Sequence, residues 1–133
     1  MTPPIQMRFD LRVPPFAKTD FRTQYATCLE MAEWADRTGL EAIILSEHHG
    51  DPAGFTPAPL TIAAAILART RRISVTISAL LAPLHDPVRL AEQLATVDCL
   101  APGRLAVVVG AGYRRVEFEM AGIDRRARGR SVE

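Results

Sequence analysis

Apolar and polar positions change period along this chain in a regular way. Ile5-Gln6-Met7-Arg8-Phe9-Asp10-Leu11 alternates, which predicts a strand with one face in a core. Val13-Pro14-Pro15-Phe16 is loop, because two prolines cannot continue a ladder. From Asp20 the period becomes helical. Tyr25, Cys28, Leu29, Ala32 and Ala35 share one face, and Gly39 stands at a left-handed C-cap. Residues 41–46 form a short apolar run, read as a strand buried on both faces. Thr56 followed by Pro57 predicts a helix start, with an N-cap hydroxyl and then proline at the first helical position, and that helix runs to about Arg69. Residues 73–81 are a third strand, β-branched at Ile73, Val75, Thr76 and Ile77. Asp86-Pro87 repeats the cap-then-proline signal; Leu90, Ala91, Leu94 and Ala95 give the following helix a buried stripe, and Pro102-Gly103 ends it. Residues 105–109 are a fourth strand, followed by Gly110-Ala111-Gly112-Tyr113, a short helix over 115–120 and a basic tail.

The order is therefore β-α-β-α-β-α-β. Strands separated by single helices pair in parallel through right-handed crossovers. The three later strands read as apolar throughout, without the alternation of an exposed sheet face. No linker or second domain interrupts residues 1–133. Two α/β architectures fit: a small open doubly wound sheet, or the first half of a (β/α)8 TIM-type barrel, a whole one needing about 250 residues. In both, functional groups sit at the carboxyl ends of the parallel strands. Four loops are selected, those after Leu11, Ser46, Leu81 and Val109.

Composition narrows the partners. Hydrophobic residues are 48% and charged residues 23%, the balance of a globular domain. A net charge of +1 gives no electrostatic case for nucleic acid or an anionic membrane. The excess of arginine lies in residues 114–133, as expected of a solvated helix face. The longest apolar run, 58–68, is too short for the roughly 20 residues that a membrane span requires. Cys28 and Cys99 form no C-x-x-C motif, and Met1-Thr2-Pro3-Pro4 does not open a signal peptide, so free thiols in a reducing cytoplasm are expected.

The second loop carries the chemistry. Glu47-His48-His49 places three ionisable groups directly after a strand, where packing does not ask for them. An acid/base or hydrogen-bonding histidine facing a cavity is one reading. A histidine merely satisfied at a strand end is another. A metal site is a third, disfavoured because adjacent histidines on an extended chain point to opposite sides and share no ion easily. In the third loop Asp86 reads as an N-cap, and His85 as loop support in preference to a chemical role. Gly110-Ala111-Gly112 lets a flat or anionic ligand approach the backbone, but it lacks the third glycine of a dinucleotide fingerprint and follows the fourth strand rather than the first. What remains is an apolar rim with a few polar groups, suited to a large planar cofactor or a small organic substrate.

Several blocks in order carry a resemblance. They are Ser46-Glu47-His48-His49, Pro57-Ala58-Pro59 with Ile62-Ala63-Ala64-Ala65, and Ala68-Arg69-Thr70-Arg71-Arg72-Ile73. Further along come Leu80-Leu81-Ala82-Pro83-Leu84-His85-Asp86-Pro87-Val88-Arg89, Pro102-Gly103-Arg104-Leu105, Gly110-Ala111-Gly112-Tyr113, Glu117-Phe118 and Gly122-Ile123-Asp124. Together they resemble the bacterial-luciferase-like flavin monooxygenases over about residues 8–130. The resemblance implies a (β/α)8 barrel of which this chain would be roughly the first 40%. It implies reduced FMN, or alternatively the deazaflavin coenzyme, often supplied by a separate reductase. In the FMN branch O2 and the flavin oxidise a small organic substrate. It implies His48 as the catalytic histidine near the flavin and Glu47 as the carboxylate beside it. Ser78-Ala79 falls where the family often has a non-proline cis peptide under the ring. Gly110 and Ala111 fall where luciferase itself has a reactive cysteine and an arginine, which argues for a general oxidoreductase over luminescence. Tyr113 completes the expected cofactor contacts, and Arg128 is a candidate for the phosphate.

Two rival classes stand beside this enzyme. One is a non-catalytic half-barrel module that oligomerises or pairs with a separate second half. The other is a small metal hydrolase on an open sheet. A half-barrel would leave the edges 5–11 and 105–109 unpaired, so homo-oligomerisation is expected.

Overall fold

The computed structural model describes residues 4–130 and Val132; the ends of the domain expected over 1–133, residues 1–3, Ser131 and Glu133, lie outside the described residues. Four strands alternate with helices: β1 (Gln6–Phe9), α1 (Phe21–Thr38), β2 (Ala42–Leu45), α2 (Pro59–Arg69), β3 (Ser74–Leu81), α3 (Pro87–Leu100), β4 (Leu105–Gly110) and α4 (Arg115–Ala121), with single 3-10 turns at Ala82–Leu84 and Arg125–Ala127. All strand pairs are parallel, and the sheet order is β1-β2-β3-β4. A doubly wound sheet reverses its order at a switch point. This one runs in chain order, which is the wall of the first half of a (β/α)8 barrel.

The core lies between one face of the sheet and the helices. Ile43 and Leu45 of β2 and Val75 and Ile77 of β3 pack against Cys28, Ala32 and Ala35 of α1 and Ala63, Ile66 and Leu67 of α2. The opposite face is uncovered. β3 alternates between buried Val75 and Ile77 and half-exposed Ser74, Thr76 and Ser78. β4 leaves Ala106 and Val108 exposed. The expectation of apolar strands buried on both faces is corrected: β3 carries a two-residue period that its β-branched residues conceal.

Local signals set most boundaries. Asp20 caps α1, accepting from the Thr23 amide at 2.7 Å, and Gly39 ends it at φ 85. Asp86 caps α3 through the Arg89 amide at 2.9 Å, with Pro87 in the first turn. The first strand is shorter than 5–11, because the chain turns at Leu11 (φ 55), whose side chain enters the core. Thr56 does not cap a helix. It is fully buried, its carbonyl accepts the His48 amide at 3.3 Å, and α2 starts only at Pro59. Holding the β2–α2 loop takes precedence over the capping preference at that position. The stripe on α3 is also corrected: Leu90 and Leu94 are half-buried, Ala91 and Ala95 are exposed, and Val97 is the buried residue, where the helix leans on α2.

The amino-terminal end of the sheet is clamped. The Asp36 carboxylate, near the end of α1, accepts the amides of Arg71, Arg72 and Ile73 at 3.1, 2.8 and 2.7 Å. Desolvation would raise its pKa; the three amides outweigh it and hold the group below the usual carboxylate range. Arg104, entering β4, donates to Leu67 O at 2.7 Å and Thr70 Oγ1 at 3.1 Å, tying the end of α2 to the last strand.

Candidate active site

At the carboxyl end of the sheet, β2 delivers Glu47 into the interior, where it is 1% exposed. Its Oε2 accepts the Leu81 amide at 2.6 Å. Its Oε1 accepts two imidazoles, His85 Nε2 at 2.7 Å and His49 Nε2 at 3.1 Å. Burial pushes the carboxyl pKa up, but the hydrogen bonds from His49, His85 and Leu81 prevail and bring it to about 2. His49 moves the other way: its bond to Glu47 raises its pKa above the ordinary histidine value, against a smaller opposing effect of burial.

His48 takes a different partner from that cluster. Its Nδ1 lies 3.0 Å from Glu117 Oε1, an oxygen that also accepts the His49 amide at 3.1 Å. Glu117, on α4, is 1% exposed, and its Oε2 has no hydrogen-bond partner among the described residues. Arg114 stands 3.7 Å from Oε1 and pairs with Asp51 at 3.2 Å. Where Glu117 Oε1 is the acceptor of this contact, Nδ1 of His48 carries the proton. That leaves Nε2 as the free ring atom. Phe55 contacts the ring edge-on at 4.7 Å between centroids and Tyr113 at 6.1 Å, so the imidazole is braced as well as bonded.

Glu47, His48, Ala79, Leu81, Gly110, Ala111, Gly112 and Tyr113 line one cavity of about 340 Å³. The loop residues expected to meet a cofactor thus converge, with Glu47 offering a wall rather than a free carboxylate. Ser78 lies outside this lining; its carbonyl accepts Arg8 Nη2 at 3.4 Å, and the Ser78–Ala79 peptide is cis. A Cβ at Gly110 would stand 2.8 Å from the Ala79 Cβ, so glycine keeps the cavity floor flat where β3 and β4 meet. Arg128 donates to Arg125 O and is not part of the lining. A larger hollow, about 500 Å³, lies between α2 and α3 and shares no lining residue with this cavity.

Sequence reasoning took Glu117 only as part of a pattern and gave His85 a supporting role, which its bond to Glu47 agrees with. Glu117 had no local signal, since its partner His48 is 69 residues away in the chain.

The description of luciferase-like monooxygenases fits residues 7–133. The chain belongs to the luciferase-like monooxygenase family. Among characterised luciferase-like relatives it is 35% identical over 96 residues to the 4-hydroxyprotoasukamycin monooxygenase of Streptomyces nodosus subsp. asukaensis, covering 72% of this chain and 26% of that protein. It is 31% identical over 116 residues to the oxygenase component of the flavin-dependent trigonelline monooxygenase of Acinetobacter baylyi, covering 85% and 32%. The crystal structure of the monooxygenase RslO1 from Streptomyces bottropensis superposes with a TM-score of 0.83 at 32% identity, over 96% of this chain and 40% of that one. The chain therefore spans about a third or less of these curated luciferase-like relatives and two-fifths of the solved barrel. No helix among the described residues is long and apolar enough to cross a membrane.

Proposed function

We propose that this chain is the first half of a flavin-dependent (β/α)8 monooxygenase, in which His48 is the catalytic residue beside the flavin. The observation that carries the reading is the state of His48: Nδ1 is fixed on Glu117, and the ring lines the glycine-floored cavity. The cavity suits a planar ring on its own evidence. Ala79, Gly110, Ala111 and Gly112 give a wall without bulky side chains, Leu81 adds apolar surface, and a side chain at Gly110 would fill the space. Reduced FMN is the cofactor of this reading and the deazaflavin coenzyme its alternative; when bound, the flavin supplies the electrons with which O2 oxidises a small organic substrate.

The residues of this chain orient and exclude. Glu117 holds the imidazole and its tautomer, Phe55 and Tyr113 restrict its rotation, and Nε2 accepts or returns a proton at the reacting centre. Glu47 fixes the third loop to the second by taking the Leu81 amide and His85 together. A separate reductase, a cytoplasmic setting and self-association of completed barrels belong to the same proposal.

The test is a barrel completed by joining this chain to the matching second half of RslO1. Reduced FMN should bind at micromolar strength, and His48→Ala should lower substrate-dependent turnover about 10²–10⁴-fold, the range for a general acid/base. A folded barrel that binds neither FMN nor the deazaflavin overturns the reading. The second reading, a non-catalytic assembly module, is favoured by exposed Val108 (51%) and Val109 (57%) on the open edge. It predicts a stable complex with a second half and no flavin binding.

A further inference from the structure

The cavity beside His48 has a neighbour. The lining of this second cavity, about 220 Å³, includes Glu47, His49, His85, Glu117, Met120 and Ala121. Glu47 is common to both; of the two, His48 lines only the first and Glu117 only the second. The 3.0 Å contact between His48 Nδ1 and Glu117 Oε1 is therefore the join between them. The two buried carboxyls differ in what they leave free. Glu47 is fully engaged, with two imidazoles on Oε1 and the Leu81 amide on Oε2. Glu117 is engaged at Oε1 alone, by His48, the His49 amide and, at 3.7 Å, Arg114. Its Oε2 is buried and has no hydrogen-bond partner among the described residues. A buried carboxyl oxygen without a partner is strongly unfavourable. Water is the partner that fits, since a polar cavity of this size takes several molecules, each with about two to four polar partners. His49 and His85 meet Glu47 through Nε2, which leaves Nδ1 of each ring for such waters.

We infer that the second cavity is a water reservoir and that Glu117 carries protons between it and His48. The inference rests on the reading of His48 proposed above. Ligands seated in the first cavity shut bulk water away from Nε2, so a proton taken there needs another way out. Each step conserves one proton. Nε2 takes a proton from the reacting centre, and the Nδ1 proton passes to Glu117 Oε1 across the 3.0 Å contact. His48 is then neutral again, and Glu117 is a neutral acid. The carboxyl turns about Cγ–Cδ, a broad two-fold torsion, so that Oε2 takes over the His49 amide and the O–H faces the second cavity. A water there accepts the proton, which leaves as hydronium. The reverse sequence returns a proton to Nε2. Glu47 lines both cavities but is a poor carrier, because the bonds on both of its oxygens hold it ionised, with a pKa of about 2. Glu117 is thus a positioning residue for the imidazole that also conducts.

Two substitutions separate conduction from positioning. Glu117→Gln keeps an oxygen for His48 Nδ1 and the His49 amide but cannot take up a proton. Ala121→Phe puts a ring into the second cavity and leaves the first alone, since Ala121 lines only the second. Exchange of the His48 Nδ1 proton with water is measured by NMR of the histidine-labelled chain, with no flavin present. Both variants should keep the nitrogen shifts of the wild-type ring and slow the exchange about tenfold or more. In the completed barrel both should lower kcat and raise its solvent isotope effect, with flavin affinity unchanged. Wild-type exchange rates in both variants overturn the relay and leave the reading of His48 to the turnover of His48→Ala. Slow exchange in Glu117→Gln alone also overturns it, because the proton would then leave by a route other than the second cavity. If Glu117→Gln loses the wild-type circular dichroism, Ala121→Phe decides alone.

Discussion

His48 Nδ1 and Glu117 Oε1 meet at 3.0 Å across 69 residues of chain, joining the loop after β2 to the helix after β4. The same oxygen takes the His49 amide, so one buried carboxylate sets both the ring and the backbone that carries it.

Glu117→Ala should release that ring. Two donors, His48 Nδ1 and the His49 amide, would lose their acceptor in a largely buried place. Loss of a buried partner costs about 1–3 kcal/mol. The melting temperature should fall accordingly, and nitrogen chemical shifts of His48 should change from a single Nδ1–H tautomer to a mixture. An unchanged tautomer would show that Glu117 does not orient the imidazole.

Stability should depend on pH in two separate windows. Glu47 has a folded value near 2 against an ordinary 4.5, so its contribution is complete above 4.5 and is lost as pH falls toward 2. His49 is raised above 6.5, so its contribution is complete below 6.5 and is lost as pH rises through the raised value. Melting temperature against pH should therefore be highest between these limits. His49→Gln should flatten the alkaline decline and, because His49 also helps hold Glu47 ionised, shift the acid one to higher pH; an unaltered alkaline slope would remove His49 from the account.

Gly110→Val should close the cavity floor. The new Cβ falls 2.8 Å from the Ala79 Cβ, and overpacking of this kind costs about 1–3 kcal/mol. A lowered melting temperature is expected in this chain, and lost flavin binding in the completed barrel. Wild-type affinity in that variant would mean the ligand sits elsewhere.

The two thiols should react very differently. Cys28 lies in the core and burial pushes its thiol up to about 11, while Cys99 is exposed on α3. A thiol reagent at neutral pH should modify one cysteine per folded chain quickly and the second only on denaturation. Two rapid equivalents would contradict the packing of α1 against the sheet.

Much of the fold was legible because its signals are local. Gly39 and Asp86-Pro87 mark helix ends by backbone conformation and hydrogen-bond chemistry that act within a few residues. Thr56-Pro57 presents the same local signal and misleads, because the His48 amide claims the Thr56 carbonyl and the helix starts only two residues later, at Pro59. The site was legible only in part. Glu47, His48 and Gly110 announce themselves by standing directly at strand ends. The pairings that give them roles, Glu47 with His85 and His48 with Glu117, cross 38 and 69 residues, and no pattern in one sequence reports such contacts.

The clamp that Asp36 makes on three successive amides has a consequence for engineering. Together with the Arg104 contacts, it fastens the starts of β3 and β4 from below, at the end of the sheet opposite the cavity. The starts of β3 and β4 are therefore held by contacts that draw on no rim residue. A combinatorial library at rim positions such as Pro52 and Ala111, which make none of the contacts that hold Glu47 and His48, would be displayed on a base fastened from the opposite end, and shifts in ligand preference could be selected there without re-optimising the scaffold beneath.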